Sequence, residues 1–264
     1  MNKQPIGIFD SGVGGTSIWK EIHNLLPNEN TIYLADSINA PYGPKGKEVI
    51  IDLCIKNTEL LLEKGCKLIV VACNTATTNA IDYLRANYNV PFIGIEPAIK
   101  PAALQTKNGA VGILATKGTL SSKLFSETSE KFASSVIVIE QDGDGIVDLI
   151  ESGKLYSEEM KSLLRGYLKP MIKANIDYLV LGCSHYPYLI PILIELLPKH
   201  VKIIDSGEAV ARQTKAILEQ NDLLNTESSI PVALGTKLEF YTNRNPAVMK
   251  ELLGTDFKVE FLDF

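Results

Sequence analysis

Two short runs in this chain set a thiol beside polar donors: Cys73-Asn74-Thr75 and Cys183-Ser184-His185-Tyr186-Pro187. Each follows an apolar run, Val70-Val71-Ala72 in one case and Val180-Leu181-Gly182 in the other. A cysteine between the end of a buried strand and the start of a helix sees the positive end of the helix dipole, which favours thiolate. Asn74 and Thr75 add amide and hydroxyl donors able to hold a carboxylate. His185, two positions beyond Cys183, can take or give a proton near neutral pH. Taken singly, the first run also reads as a helix cap over a packed cysteine. The second also reads as the Cys–His nucleophile of a hydrolase or acyl transferase. The two thiols, 110 positions apart, shift that balance together. A hydrolase needs one nucleophile, whereas inverting a carbon centre needs two acid–base groups on opposite faces.

A third run, Asp10-Ser11-Gly12-Val13-Gly14-Gly15-Thr16-Ser17, looks at first like a phosphate cradle. Ser17 stands where a dinucleotide fingerprint needs its last glycine, and no Gly-Lys-Ser/Thr follows, so neither nucleotide motif is present. The glycine N–H groups could still hold a carboxylate. Asp10 reads equally as an acid–base group, an ammonium counter-ion or a cap. Pro41-Tyr42-Gly43 reads as a turn after a strand. Trp19 falls on the apolar side of the first helix, and His23 and His200 read as surface histidines. The four cysteines form no C-x-x-C and do not stand at ligand spacing with the three histidines, so neither a disulfide framework nor a metal site is expected. Cys54 and Cys66 read as small buried hydrophobes.

The elements that must carry these residues alternate along almost the whole chain. Strand-like runs are Ile6–Phe9, Ile32–Leu34, Leu68–Ala72, Phe92–Gly94, Val111–Leu114, Val136–Ile139, Tyr178–Leu181, Lys202–Ile204 and Val232–Leu234. Helix-period stretches fall at Ser17–Leu26, Glu48–Lys64, Thr77–Asn87, Ser121–Phe132, Ser157–Lys173 and Ala209–Gln220. Continuous apolar strands between amphipathic helices predict an α/β fold of parallel sheets covered by helices. So many strands would crowd one sheet, and 264 residues suit two α/β halves, with a crossover near Pro91, Pro97 and Pro101. Hydrophobic residues at 45% exclude a disordered chain, and no apolar run is long enough to span a membrane. A formal charge of −5 without a basic block gives general nucleic-acid binding no support. The first residues lack the apolar stretch of a signal peptide, so a cytoplasmic protein with free thiols is expected.

Two of the runs echo. Phe9-Asp10-Ser11-Gly12 returns as Ile204-Asp205-Ser206-Gly207, and Ala72-Cys73-Asn74-Thr75 returns as Gly182-Cys183-Ser184-His185. All four lie at carboxyl ends of strands, where open α/β sheets bind ligands.

With these motifs in this order, and Ala35-Asp36 before Pro41-Tyr42-Gly43, the chain closely resembles the glutamate racemases of the cofactor-independent aspartate/glutamate racemase superfamily over nearly its whole length. The Asp-Ser-Gly-Val-Gly-Gly and Tyr-Gly elements point to the glutamate rather than the aspartate members. The resemblance implies two similar α/β domains with parallel-type sheets and a site in the interdomain cleft. It divides the chain into residues 1–97, 98–207 and a segment 208–264 returning to the first domain. It further implies Cys73 and Cys183 as the paired acid and base, Cys73 toward D-glutamate and Cys183 toward L-glutamate. Asp10 and His185 would assist the adjacent thiols. Asp10, Ser11, Tyr42, Gly43, Asn74, Thr75, Ser184 and His185 would hold the substrate. No cofactor, metal, nucleic acid or membrane is implied, a homodimer is allowed, and the product D-glutamate would serve peptidoglycan synthesis.

Two departures stand out. Ser184 occupies a position where the family usually has threonine, which keeps the hydroxyl. Glu140-Gln141-Asp142-Gly143-Asp144-Gly145 replaces a Cys-Pro-containing segment, while Asp148-Leu149-Ile150-Glu151-Ser152-Gly153 resembles its acidic continuation, with Glu151 an auxiliary acid near His185. An aspartate racemase, a Cys183–His185 hydrolase indifferent to loss of Cys73, and a silent binder of an acidic amino acid are the competing readings.

Overall fold

The computed structural model describes residues 2–133, 135–226 and 236–264. Ile6–Asp10 (β1) is buried at every position because it lies between parallel neighbours, Thr31–Ala35 (β2) and Leu68–Val71 (β3). A strand covered on both faces has no polar face to present, hence its continuous apolar run. With Phe92–Gly94 (β4), Leu238–Thr242 (β9) and Val259–Phe261 (β10), these strands form a parallel sheet of order β10-β9-β2-β1-β3-β4. Ala110–Ala115 (β5), Ile137–Asp142 (β6), Tyr178–Gly182 (β7) and Lys202–Ile204 (β8) form a second, ordered β6-β5-β7-β8 and also parallel. The fold is thus two α/β domains, each a parallel sheet flanked by helices. The strands of the C-terminal segment, β9 and β10, extend the first sheet beside β2.

Helices that matter for the site start at carboxyl ends of strands. Thr16–Leu25 (α1) follows β1 and buries Ile18, Trp19 and Ile22. Asn74–Asn87 (α3) follows β3, Lys117–Leu120 (α5) follows β5, and a 3₁₀ turn at Tyr186–Leu189 follows β7. Lys47–Glu63 (α2) packs on α3. Register aligns the strand ends. Phe9 pairs with Val71, so two residues further on Ser11 comes beside Cys73; Ala115 pairs with Gly182, which brings Thr116 beside Cys183.

The chain leaves the first sheet after β4 and returns after β8 through Gly207–Gln220 (α10), which packs on α1. The two crossings touch where Ser206 Oγ donates to the main-chain oxygen of Glu96. Here the echo of Asp-Ser-Gly acquires a cause. Gly207 N–H donates to Asp205 Oδ1 at 2.7 Å, as Gly12 N–H does to Asp10 Oδ2 at 3.2 Å. Both are the turn an aspartate makes with the backbone two residues on. The first copy serves the site, and the second serves the crossing.

Several elements differ from the expectation. Strand β6 runs through Glu140-Gln141-Asp142 because it is an edge, half-exposed along its length, and needs no apolar continuation. Ile99–Gln105 (α4) occupies the expected crossover; Pro101 sits in its first turn, where a missing N–H costs nothing. Ile146–Glu151 (α7), Ile190–Leu196 (α9) and Ala247–Leu253 (α11) are short helices below the length at which periodicity is legible. The expected strand Val232–Leu234 lies outside the described residues. Among the described residues no helix is long and apolar enough to cross a membrane.

Glu158–Lys173 (α8) carries Gly166 on its exposed side, where an added Cβ would meet nothing within 4 Å. Glycine in a helix loses more backbone entropy on folding than alanine. Gly166→Ala is therefore expected to stabilise the protein by about 0.5–1 kcal/mol, read from the denaturant midpoint at unchanged slope.

Candidate active site

The first half of the site is built on β1 and β3. Cys73 is the N-cap of α3; its sulfur accepts the Ala76 N–H at 3.4 Å, and its thiol donates to Ser11 Oγ at 3.5 Å. Asp10, fully buried, accepts the Gly15 N–H at 3.0 Å and the Gly12 N–H on Oδ2. Its other oxygen, Oδ1, accepts the Ser184 hydroxyl at 3.0 Å, which ties the end of β1 to the loop after β7.

The second half is built on β7 and α7. Cys183 Sγ lies 3.8 Å from His185 Nδ1, and His185 Nε2 lies 2.7 Å from Glu151 Oε1. Glu151 Oε1 also accepts the Val13 N–H at 2.6 Å, and the Gly14 N–H points at His185 Nε2 from 3.2 Å. One ring nitrogen cannot donate to Glu151 and accept from Gly14 at once. The shorter, charge-assisted contact assigns a proton to Nε2, leaving Nδ1 to face the Cys183 sulfur and the Ser184 hydroxyl. Burial pulls the His185 pKa down, but Cys183, Glu151 and Asp10 around it outweigh that and hold it well above the usual histidine value.

Burial moves Cys73 opposite to the expectation. Desolvation pushes its thiol well up, Asp10 adds to the push, and the hydrogen bonds it shares with Ser11 and Ala76 only partly offset it. The magnitudes explain the sign. A helix N-terminus contributes about 0.3–2 kcal/mol, while full burial moves a titratable group by up to about 3–5 pKa units at 1.36 kcal/mol each. Cys73 at rest is therefore a thiol, an acid rather than a standing nucleophile. Burial likewise raises Asp10, with His185, Gly15 and Ser184 pulling the other way.

The glycine loop differs from expectation in what it holds. Its N–H groups are occupied by the protein's own side chains: Asp10 by Gly12 and Gly15, Glu151 by Val13, with His185 against Gly14. The glycines are required by close approach. A Cβ on Gly12 would stand 1.9 Å from Glu151 Oε1, and one on Gly14 2.2 Å from His185 Nδ1.

Three hydroxyls meet where the halves adjoin beyond Cys73. Thr75 Oγ1 lies 2.9 Å from Thr116 Oγ1 and 3.4 Å from Thr119 Oγ1, and Thr116 and Thr119 are 3.1 Å apart. Gly43 closes over them, its carbonyl near the backbone of Gly118. Beside this point opens a cleft of about 470 Å³ whose walls include Gly43, Lys45, Thr116, Lys117 and Asp142.

Of the residues expected from the sequence, Asp10, Ser11, Cys73, Cys183, Ser184 and His185 are joined by hydrogen bonds or close contacts. Thr75 and Gly43 border them. Asn74 is buried next to Cys73, with neither its amide oxygen nor its amide nitrogen partnered. Tyr42 is buried with its phenol turned to Asp36 Oδ2 at 2.6 Å and to Asn57, so only its main chain is left for a ligand. Thr116 and Thr119 were missed. Their signal was the polar Thr-Lys-Gly-Thr directly after the apolar β5, the placement that marked Cys73 and Cys183. His23 is not a surface group: it is half-buried, stacked on Trp19 at 5.0 Å, with burial lowering its pKa, because α1 turns that face onto the C-terminal segment. Trp19 is core, Cys54 and Cys66 are buried free thiols, and His200 is exposed. Among the described residues no cluster of three or more His, Cys, Asp or Glu is placed to hold a metal ion.

Interior strands of two parallel sheets thus each deliver a thiol, with a carboxylate, an imidazole and a second carboxylate between them. The carboxyl ends of strands are where open α/β sheets bind small ligands. Residues 6–214 match the Asp/Glu/Hydantoin racemase family, and the chain belongs to that family. It is 46% identical over 260 residues to a glutamate racemase of Ectopseudomonas mendocina, covering 98% of each chain. A glutamate racemase isoform of Bacillus anthracis superposes with TM-score 0.85 at 29% identity, over 100% of this chain and 98% of that one. The Escherichia coli glutamate racemase, solved with L-glutamate and the activator UDP-MurNAc-Ala, gives TM-score 0.84 at 32% identity, over 98% of each. The protein is an amino-acid racemase, an isomerase.

Proposed function

We propose that the protein interconverts L- and D-glutamate by moving the Cα proton between Cys73 and Cys183, with no cofactor. The observation that supports this best is the pairing of thiols from β3 and β7, the two halves bridged by the Asp10–Ser184 bond. An α-proton beside a carboxylate and an ammonium is very weakly acidic, so the site must stabilise the developing carbanion by fixed dipoles in a dry pocket. With L-glutamate bound, Cys183 as thiolate takes the proton on one face, the C–H bond giving its electron pair to Cα. Cys73 as thiol then delivers its proton to the other face and is left as thiolate. From D-glutamate the roles reverse. His185, charged and backed by Glu151, is placed to assist Cys183 from 3.8 Å, and Asp10 to receive the Cys73 proton when that thiol must act as base.

Ser11, the Tyr42 and Gly43 main chain, Asn74, Thr75, Ser184 and His185 would hold the substrate. Thr75, Thr116 and Thr119 offer three hydroxyls that suit a side-chain carboxylate. The relatives named above carry the glutamate assignment, and the resemblance carries the role of cytoplasmic D-glutamate supply for peptidoglycan. Rescue of a D-glutamate-requiring bacterium would test that role.

The decisive test is incubation in D₂O, without cofactor, with L-glutamate, D-glutamate or L-aspartate. Deuterium at Cα together with loss of optical rotation from both glutamate enantiomers is expected. Exchange with aspartate alone would transfer the assignment to the aspartate members, and no exchange would overturn the reading.

Asn74 supplies a further prediction. Two unpartnered buried polar atoms are costly until a ligand meets them, and a hydrogen bond to a charged group contributes about 1.5–3 kcal/mol. Asn74→Ala should raise KM for glutamate by about tenfold or more while leaving the thermal midpoint unchanged or higher. Initial rates and a melting curve on one preparation decide it.

A further inference from the structure

His185 opens a 3₁₀ turn, and that turn carries a second group that reaches the other domain. Tyr188 N–H donates back to the His185 carbonyl at 3.3 Å, so the two residues move as one turn. The Tyr188 hydroxyl lies 2.6 Å from Thr16 Oγ1, at the first residue of α1. Thr16 has one hydroxyl hydrogen, and it goes to the Val13 carbonyl at 2.5 Å. Tyr188 must then be the donor to Thr16. Burial pushes the Tyr188 phenol up to about 12, so it keeps that hydrogen throughout the ordinary pH range.

What the bond joins gives it meaning. Thr16 and Val13 belong to the loop whose Val13 N–H holds Glu151 and whose Gly14 N–H meets His185. Ser17 Oγ adds a parallel bond to the Ser184 carbonyl at 2.8 Å. Lys20, one turn along α1, lies over the Tyr188 ring at 5.2 Å and donates to the Leu252 carbonyl at 2.7 Å. The ring is therefore fixed from its face as well as from its hydroxyl, and the chain of contacts runs from the His185 turn through α1 to α11. The Tyr188 hydroxyl bonds to Thr16 rather than to either thiol, and Tyr188 meets His185 through the main chain, not through the imidazole.

We propose that Tyr188 is a positioning residue of the racemase: its hydroxyl ties the His185 turn to the start of α1 and so sets the imidazole between Cys183 and Glu151. This rests on the glutamate racemase reading for its kinetic consequence, but not for its geometric one. Displacements of the order of 1 Å in a proton-transfer group are worth about 10²-fold in rate, and loss of one hydroxyl should produce a part of that.

The test is Tyr188→Phe, which keeps the ring under Lys20 and removes one hydrogen bond. In the whole enzyme, kcat from either enantiomer should fall about tenfold with KM changed less than about twofold, and the thermal midpoint should drop by no more than about 4 °C. Independently of turnover, the ring-carbon NMR signal of His185, identified by its loss in His185→Asn, should titrate closer to the ordinary histidine value of about 6.5 in Tyr188→Phe than in the wild type. An unchanged His185 titration, or a lowered midpoint with kcat intact, would overturn the proposal. A wild-type enzyme inactive on glutamate would instead sink the substrate assignment, while the His185 titration would still judge Tyr188.

Discussion

Replacing either Cys73 or Cys183 by alanine is expected to lower kcat for glutamate racemisation by at least about 10³-fold, in both directions. General acid–base groups contribute typically 10²–10⁴-fold, and here each thiol serves its own face of Cα. Loss of one leaves a step with no proton donor or acceptor, whichever enantiomer is supplied. The equilibrium constant between enantiomers is one, so kcat/KM must fall equally from L- and D-glutamate. The fold should persist, because both cysteines are small buried residues, Cys73 with weak sulfur bonds to Ala76 and Ser11 and Cys183 facing His185. Circular dichroism of glutamate during turnover gives the rate, and a melting curve gives the control. Near-wild-type turnover in Cys73→Ala would favour a mechanism resting on Cys183 and His185 alone, as a hydrolase would use.

Gly14→Ala is expected to be nearly as damaging, though it leaves both thiols in place. A Cβ there would stand 2.2 Å from His185 Nδ1, 2.3 Å from its Cγ and 2.6 Å from its backbone nitrogen. None of these is the free end of a flexible chain. The imidazole is held on one side by Glu151, and its backbone continues directly into the 3₁₀ turn. The clash must open the contact between the domains, and the imidazole moves with it. Overpacking of this kind costs about 1–3 kcal/mol of stability, and the displaced ring should cost about 10²-fold or more in kcat. Gly166→Ala, which meets nothing, is the matched control in the same assay. Unaltered kcat in Gly14→Ala would mean that the halves do not close this tightly during turnover.

Much of the fold was legible because buried parallel strands must be apolar throughout. That rule located β1 to β5 and β7, while the edge strand β8 showed only in its short Ile203-Ile204 run, and the rule fails where strands have an open face. Strand β6 continues through Glu140 and Asp142, β9 is half-exposed, and β10 is a short edge strand. The short helices α7 and α9 escaped for want of turns. The site was legible for a similar reason: polar residues directly after an apolar strand stand at its carboxyl end whatever the rest of the chain does. Cys73, Cys183 and Asp10 all announce themselves in that way. Thr116 and Thr119 do too, but a hydroxyl after a strand is commonplace until two others are found beside it.

By itself the sequence determined the two parallel sheets, the thiols at their strand ends and the glycines of the first loop, since each follows from local chemistry and near neighbours. Only the tertiary structure decided how the halves act on each other. Glu151 reaches Val13 and His185 across long stretches of chain, Ser184 closes on Asp10, and Tyr188 closes on Thr16. It also set desolvation against the pull toward thiolate at Cys73, for the dipole is a property of one helix, whereas desolvation is a property of everything packed around the thiol. Local spacing can name which groups ionise; what they become depends on how much water the assembled fold leaves them.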